Sequence, residues 1–315
     1  MVEMREAYGR ALADYGAQNE RVVVLDADVS ASTRSRHFAQ RFPQRFFNVG
    51  ITEAAMVDVA AGLALAGFIP FAHTFAFLLS LRAAESVRTC VAYARTNVKL
   101  IGAYGGLSDS YDGPTHHAIC DLALMRSLPN MTVVVPADAE QADAAIPAVA
   151  EREGPVYLRL SRAAVPSATP PGQALQIGRG QLLREGSDVL LVNCGVLLSR
   201  CLQAAQELEN RGISAAVLNM PTLKPLDEEL ILSAASRCSA VVTIEEHNIV
   251  GGLGSAVAEL LAQENPLPIR RVGIRDAFAE SGPYEALLDR WGMSVADIVA
   301  AAEAALAQSK KHSLR

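Results

Sequence analysis

FFNVGITEAAMVDVAAGLALAGFIPFAHTF, residues 46–75, contains the helix-then-strand unit that decides the fold. Residues 53–66 are mostly apolar and small, and they read as a helix behind Thr52, a residue suited to an N-cap. IPFAHTF, residues 69–75, is short and bounded by polar residues, and it reads as a buried strand. Glu53, alone at the front of the helix, does not fit a packing role. A capping box would place glutamate three residues after the cap, where Ala55 stands. The helix dipole remains as a local explanation, since a carboxylate is favourable near an N-terminus. The apolar run behind Glu53 supplies no ion-pair partner, so a functional explanation stays open beside the local one.

The same alternation extends outward. RVVVLDADV (21–29), VKLIGAY (98–104), MTVVVPAD (131–138) and PVYLRLS (155–161) read as strands, with helices over 77–95, 118–127 and 139–152. A β-α-β-α order implies a parallel sheet covered on both faces by helices. VPSATPPGQAL, residues 165–175, carries three prolines and no periodicity, and reads as a linker. Beyond it SDVLLVNCG (187–195), ISAAVLNM (213–220), SAVVTIEE (239–246) and IRRVGI (269–274) are strands, with helices near 198–210, 227–235, 253–262 and 294–307. The expected class is α/β, two open, mainly parallel-sheet domains. They span residues 1–164 and 177–308, with a linker at 165–176 and a tail at 309–315.

Bulk properties exclude several functions. A chain of 315 residues with formal net charge -6, and no long basic run beyond the short tail Lys310-Lys311, has no electrostatic case for nucleic acid or an anionic membrane. MVEMREAYGRAL at the N-terminus is charged too early for a signal peptide, and no apolar run is long enough to span a bilayer. The five scattered cysteines lack CxxC spacing and read as reduced thiols of a cytoplasmic protein.

In open parallel sheets ligands gather beyond the carboxyl ends of strands. Polar clusters stand at several such ends: Asp26 to Asp28, His73 to Phe75, Asp109 to His117, Ser161 and Arg162, and Glu245 to Asn248. In GGLSDSYDGPTHHAICDL (105–122), Asp112-Gly113-Pro114 is a turn. His116 is placed to exchange protons near neutrality, whereas His117 reads more readily as a capping or packing residue. The two adjacent rings point apart and no third ligand is spaced for a metal. In EEHNIVGGLGSAVAE (245–259) the glycines precede a helix, where phosphate can bind. The dinucleotide and P-loop fingerprints are absent, so a tight turn packed at a domain interface is the simpler reading. With no GxSxG elbow and no cysteine flanked by activating cations, the demanding chemistry falls to a cofactor.

Taken in order, NVGITEAAM, HTFAF, SDSYDGPTHH, LPNMTVVVPADAEQ and VYLRLSR resemble the pyrimidine-binding domain of transketolases, and the half containing EEHNIVGGLGSAVAE resembles their C-terminal domain. The resemblance implies a thiamine diphosphate enzyme moving a two-carbon ketol unit from a ketose to an aldose. It assigns Glu53 to the cofactor's pyrimidine nitrogen, where a desolvated carboxylate favours the imino form of the ring. It assigns Phe75 to stacking on that ring, Leu78 to the place of a second aromatic, with Phe77 beside it, and Asp28 to the thiazolium side. Asp112 and His116 match contacts to sugar hydroxyls, and His116 also matches a proton relay. Arg5, Ser30 and Arg162 match positions that hold a sugar phosphate. Two departures bear on the substrate's anionic end: Tyr104 stands where a phosphate-binding histidine is usual, and His73 where serine is common. A branched sugar phosphate, a sulfonated sugar or an unusual acceptor would each fit such a change. The GDG motif that anchors diphosphate and Mg²⁺ in the family is absent. The implied assembly is α2β2, with this chain self-associating and a separate N-terminal subunit carrying GDG and the metal. The alternatives are the β subunit of a 2-oxo-acid dehydrogenase E1, a 1-deoxyxylulose-5-phosphate-synthase-like enzyme, or a non-catalytic scaffold.

Overall fold

A computed structural model describes residues 3–313. Twelve strands form two sheets: β1 (Val22–Asp26), β2 (Phe46–Asn48), β3 (Ile69–Phe75), β4 (Lys99–Ala103), β5 (Thr132–Val134), β6 (Val156–Arg159), β7 (Gln181–Arg184), β8 (Val189–Cys194), β9 (Ala215–Asn219), β10 (Thr222–Lys224), β11 (Ala240–Asn248) and β12 (Ile269–Ile274). The first sheet has the order β10-β5-β6-β4-β3-β1-β2 and the second β12-β11-β8-β9-β7. Pairing is parallel except where β10 meets β5 and β7 meets β9. The fold is therefore α/β with two mainly parallel sheets. β1, β4, β8 and β9 are buried along their whole length, as expected of strands covered on both faces.

Strand order sets where the site lies. From β1 the chain steps outward to β2, then returns to β3 on the other side of β1. The crevice between the carboxyl ends of β1 and β3 is thus a topological switch point, the expected place for a ligand.

The expected helix over 53–66 forms as Glu53–Leu65, and 198–210 as Leu198–Asn210. Thr52 stands at the N-cap but its hydroxyl donates to Val49 O (3.0 Å) and caps nothing. The expected helix over 77–95 is instead two π-helical stretches, Leu78–Arg82 and Val87–Tyr93, around one short turn, Ala84–Ser86. Helices Met4–Gln18 and Tyr284–Arg290 and strands β2, β7 and β10 were not foreseen. The tail expected at 309–315 is helical as far as it is described, because Val295–Ser313 is one helix; residues 314 and 315 lie outside the described residues.

Strand β10 matters most for the architecture. It follows β9 of the second sheet by only three residues, yet pairs with β5 of the first (Thr222 opposite Val134). A continuous apolar core then runs from Leu25, Met56 and Leu79 through Val133 and Leu223 to Leu253 and Val257.

Candidate active site

Neighbouring strands β6, β4, β3 and β1 deliver Arg162, Tyr104, Phe75 and Asp28 at or just beyond their carboxyl ends. Tyr104 is the hub. Its φ is +62°, a conformation that costs an aromatic residue energy and is worth noting beside a functional site. Its ring stacks on Phe75, centroids 4.7 Å apart and planes at 16°. Arg5, from helix Met4–Gln18, donates to the Tyr104 hydroxyl (2.6 Å), and the Arg5 and Arg162 guanidinium carbons lie 5.4 Å and 5.2 Å from the ring centroid. Two cations thus share one aromatic ring, within cation–π range.

Arg162 is fixed by Asp109, whose Oδ1 accepts from Nη1 at 3.0 Å. Asp109 is fully buried, and among the described residues its Oδ2 has no hydrogen-bond partner. Burial and the nearby Asp112 carboxyl raise it to about 6 against the pull of Arg162. Sequence reasoning did not single out Asp109, because a polar turn such as SDSYDG reads as solvent-facing. Asp112 is exposed, and His116 is half-buried with Nδ1 2.9 Å from the Thr115 hydroxyl. The His116 ring lies 5.0 Å from Phe77 and 6.4 Å from Phe75. Phe77 therefore faces the site, and Leu78 is half-buried at the start of the π-helical stretch.

Glu53 is 2% exposed and accepts no hydrogen bond among the described residues. Its nearest cation is Arg82, 3.8 Å from Oε2 and itself mostly exposed. A buried carboxylate with its acceptor capacity unused is costly unless a donor arrives. That is the form of a site for a ligand that brings an N–H donor, and Phe75, at the carboxyl end of β3, supplies a flat apolar wall on the same sheet.

On the β1 side Asp28, at φ +64°, is exposed and accepts from Asn48 Nδ2 (2.8 Å). Ser30 opens the short helix Ser30–Thr33 and is half-buried. Asp26 is structural: it accepts from Val29 N, the Thr33 hydroxyl and the Ser35 hydroxyl (2.6, 3.1 and 2.8 Å), shaping the loop that carries Asp28 and Ser30.

His73 needs correction. It is fully buried: Nδ1 lies 3.0 Å from Phe71 O and 3.2 Å from Leu25 O, and the Tyr8 hydroxyl lies 2.7 Å from Nε2. The consistent arrangement has Nδ1–H donating and Nε2 accepting from Tyr8, with burial lowering its pKa to about 4. Both nitrogens are spent inside the sheet, so His73 reaches no substrate.

The glycines of 251–254 pack as expected. Both Glu245 oxygens accept from the start of helix Leu253–Glu264, at Leu253 N (2.7 Å) and Gly254 N (2.8 Å), so this N-terminus already holds an anion. A Cβ on Gly251 would overlap Ala123 of the first half. Among the described residues no group of three His, Cys, Asp or Glu could hold a metal, and no helix is long and apolar enough to cross a membrane.

A buried glutamate at the start of helix Glu53–Leu65, stacked aromatics at the carboxyl ends of β3 and β4, and a second α/β unit define the class: a two-unit α/β protein with its candidate site at the switch point of the first sheet. Residues 1–167 match the transketolase pyrimidine-binding domain family and residues 178–298 the transketolase C-terminal domain family. The chain belongs to the transketolase family. It is 42% identical to the 6-deoxy-6-sulfo-D-fructose transketolase subunit SqwH of Clostridium sp. (strain MSTE9), over 95% of this chain and 93% of that one. It is 40% identical to a putative transketolase C-terminal section of Methanocaldococcus jannaschii, over 92% of each. A solved structure described as a split gene transketolase, inactive beta4 tetramer, superposes with TM-score 0.92 at 49% identity, covering 98% of this chain and 99% of that one.

Proposed function

We propose that this chain is the C-terminal subunit of a split transketolase, transferring a two-carbon ketol unit from a ketose to an aldose once joined to a diphosphate-binding subunit. The observation that carries the reading is Glu53, buried and without a hydrogen-bond donor among the described residues. Thiamine diphosphate, held between this chain and its partner, would supply the carbanion chemistry that ketol transfer needs. Glu53 would hold the pyrimidine nitrogen, Phe75 and Phe77 would flank the ring, with Leu78 behind them, and Asp28 would face the thiazolium side. Asp112 and His116 would bind sugar hydroxyls, His116 also handling a proton at the substrate's oxygen. Diphosphate and Mg²⁺ would rest on the partner, since this chain has no GDG motif.

Arg5, Arg162 and Ser30 would take the substrate's anionic end, with Tyr104 between the two cations in place of the usual histidine. A relative named for a sulfonated ketose supports a sulfonate or a phosphate at that end. The division of labour would follow residues 1–164 and 177–308, and the assembly would be a cytoplasmic α2β2 heterotetramer. The test is to combine the chain with a GDG-containing subunit and supply ketose phosphates and sulfonated ketoses with an aldose acceptor. Ketol transfer is expected. Pyruvate decarboxylation without ketose cleavage would point to the 2-oxo-acid dehydrogenase class instead.

A further inference from the structure

The loop bearing Asp112 and His116 leaves the first half of the chain and returns to it, yet the second half grips it along its length. At its start, Leu107 N donates to Glu246 Oε1 at 2.7 Å. Gly106, at φ +65°, lies so close to that carboxylate that a Cβ would overlap it. At its end, Asn248 N donates to Ile119 O (2.9 Å). Between them, Gly282 N donates to Ser110 O (3.0 Å), and a Cβ on Gly113, at φ +79°, would overlap the Ser281 hydroxyl. Behind the loop, Arg159 Nη2 donates both to Ala118 O (2.8 Å) and to Glu246 O (3.1 Å), tying the loop to the same strand from below.

These contacts come from two places in the second half: the carboxyl end of β11 and the segment after β12. Neither supplies a residue that the proposed reaction uses. Their common effect is geometric, because the turn Asp112-Gly113 is held against Ser281 while its two stems are pinned by β11. Within the first half Arg162 ties down Ser108 and Asp109, and Gly106 pairs with Ala118, but the exposed Asp112 end of the loop, at the positive-φ Gly113, meets its stop in the second half.

We propose that the second domain is the frame of the substrate loop, with Glu246 as its principal positioning residue and Ser281 as the stop against which the Asp112-Gly113 turn rests. The proposal rests on the ketol-transfer reading for what the loop does, but not for what holds it. Glu246 is 2% exposed, and burial raises its carboxyl to about 7 although Arg159 lowers it. The site therefore tolerates a neutral side chain, and glutamine can still accept from Leu107 N–H, whereas alanine cannot. Ser281 is exposed, so enlarging it burdens the turn without disturbing a core.

The experiment uses the assembled complex with Glu246→Ala, Glu246→Gln and Ser281→Leu, read in two ways. Hydrogen exchange over residues 105–119 is expected to speed up at least tenfold in E246A and S281L and to stay within threefold of the parent in E246Q. In the ketol-transfer assay, E246A and S281L should raise KM for the ketose tenfold or more with a smaller fall in kcat, and E246Q should restore KM. Unchanged exchange in both E246A and S281L would overturn the proposal, as would equal loss in E246Q and E246A. If the parent complex transfers no ketol unit, the function proposed above fails, while the exchange data still decide whether the second domain holds the loop.

Discussion

Glu53 is a carboxylate whose neighbours leave it wanting a donor, and its removal is the most direct test of the chemistry. Glu53→Gln keeps the shape but weakens its hold on a ring nitrogen, and turnover of the complex should fall at least about a hundredfold. A fall of less than about tenfold would remove Glu53 from the mechanism. His73 makes the opposite case. Tyr8→Phe takes the donor from its Nε2, leaving a buried acceptor unpaired, and should cost about 1–3 kcal/mol in chemical denaturation with KM for the ketose unchanged. Asp109 supplies a pH signature. Folding raises its pKa from 3.8 to about 6, so the folded state binds its proton more tightly. Its contribution to stability is full below about pH 4 and lost as pH rises through about 6. In Asp109→Asn the decline in unfolding free energy between pH 4 and 7 should shrink by on the order of 1–2 kcal/mol, the remainder belonging to groups such as Glu246. At this scale the sequence was legible where a residue broke a local rule, as Glu53 did. It marked Asp109 only as the edge of a polar cluster and gave no sign that His73 lies inside the sheet, because burial within a turn or a sheet depends on what packs above, and no local pattern records that.

At the scale of elements, helix Glu53–Leu65 is apolar apart from Glu53 and the exposed Asp58, a composition that normally marks a helix largely enclosed. Met56, Val57, Ala60 and Ala61 are covered, yet Val59 and Leu65, with Ile51 just before the helix, face outward. An apolar face of this kind fits a subunit contact. Val59→Glu should lower the association state of the chain, alone or with its partner, in sedimentation velocity, with the circular dichroism spectrum unchanged. An unchanged association state would mean that this face is not a contact. The helix itself and the long central strands were readable from periodicity. The π-helical region was not, because residues 77–95 carry ordinary helical composition. Strands of three residues, β2, β5 and β10, lie at the limit of any pattern, and of these only β5 fell inside a longer apolar run.

For the whole molecule, the missing GDG motif has a thermodynamic consequence. In isothermal titration the chain alone should take up thiamine diphosphate and Mg²⁺ at least a hundredfold more weakly than the complex with a GDG-bearing subunit. Equal uptake by the lone chain would show that it anchors both ends of the cofactor by itself. Two mainly parallel sheets were visible in the sequence; that the second half lends a strand to the first was not. Because Thr222–Lys224 is stitched into the sheet of the first half, the two halves cannot swing apart without tearing backbone hydrogen bonds and splitting a common interior. Any gate that admits a sugar must then work by sliding of one polypeptide against another, with this one behaving as a single rigid jaw.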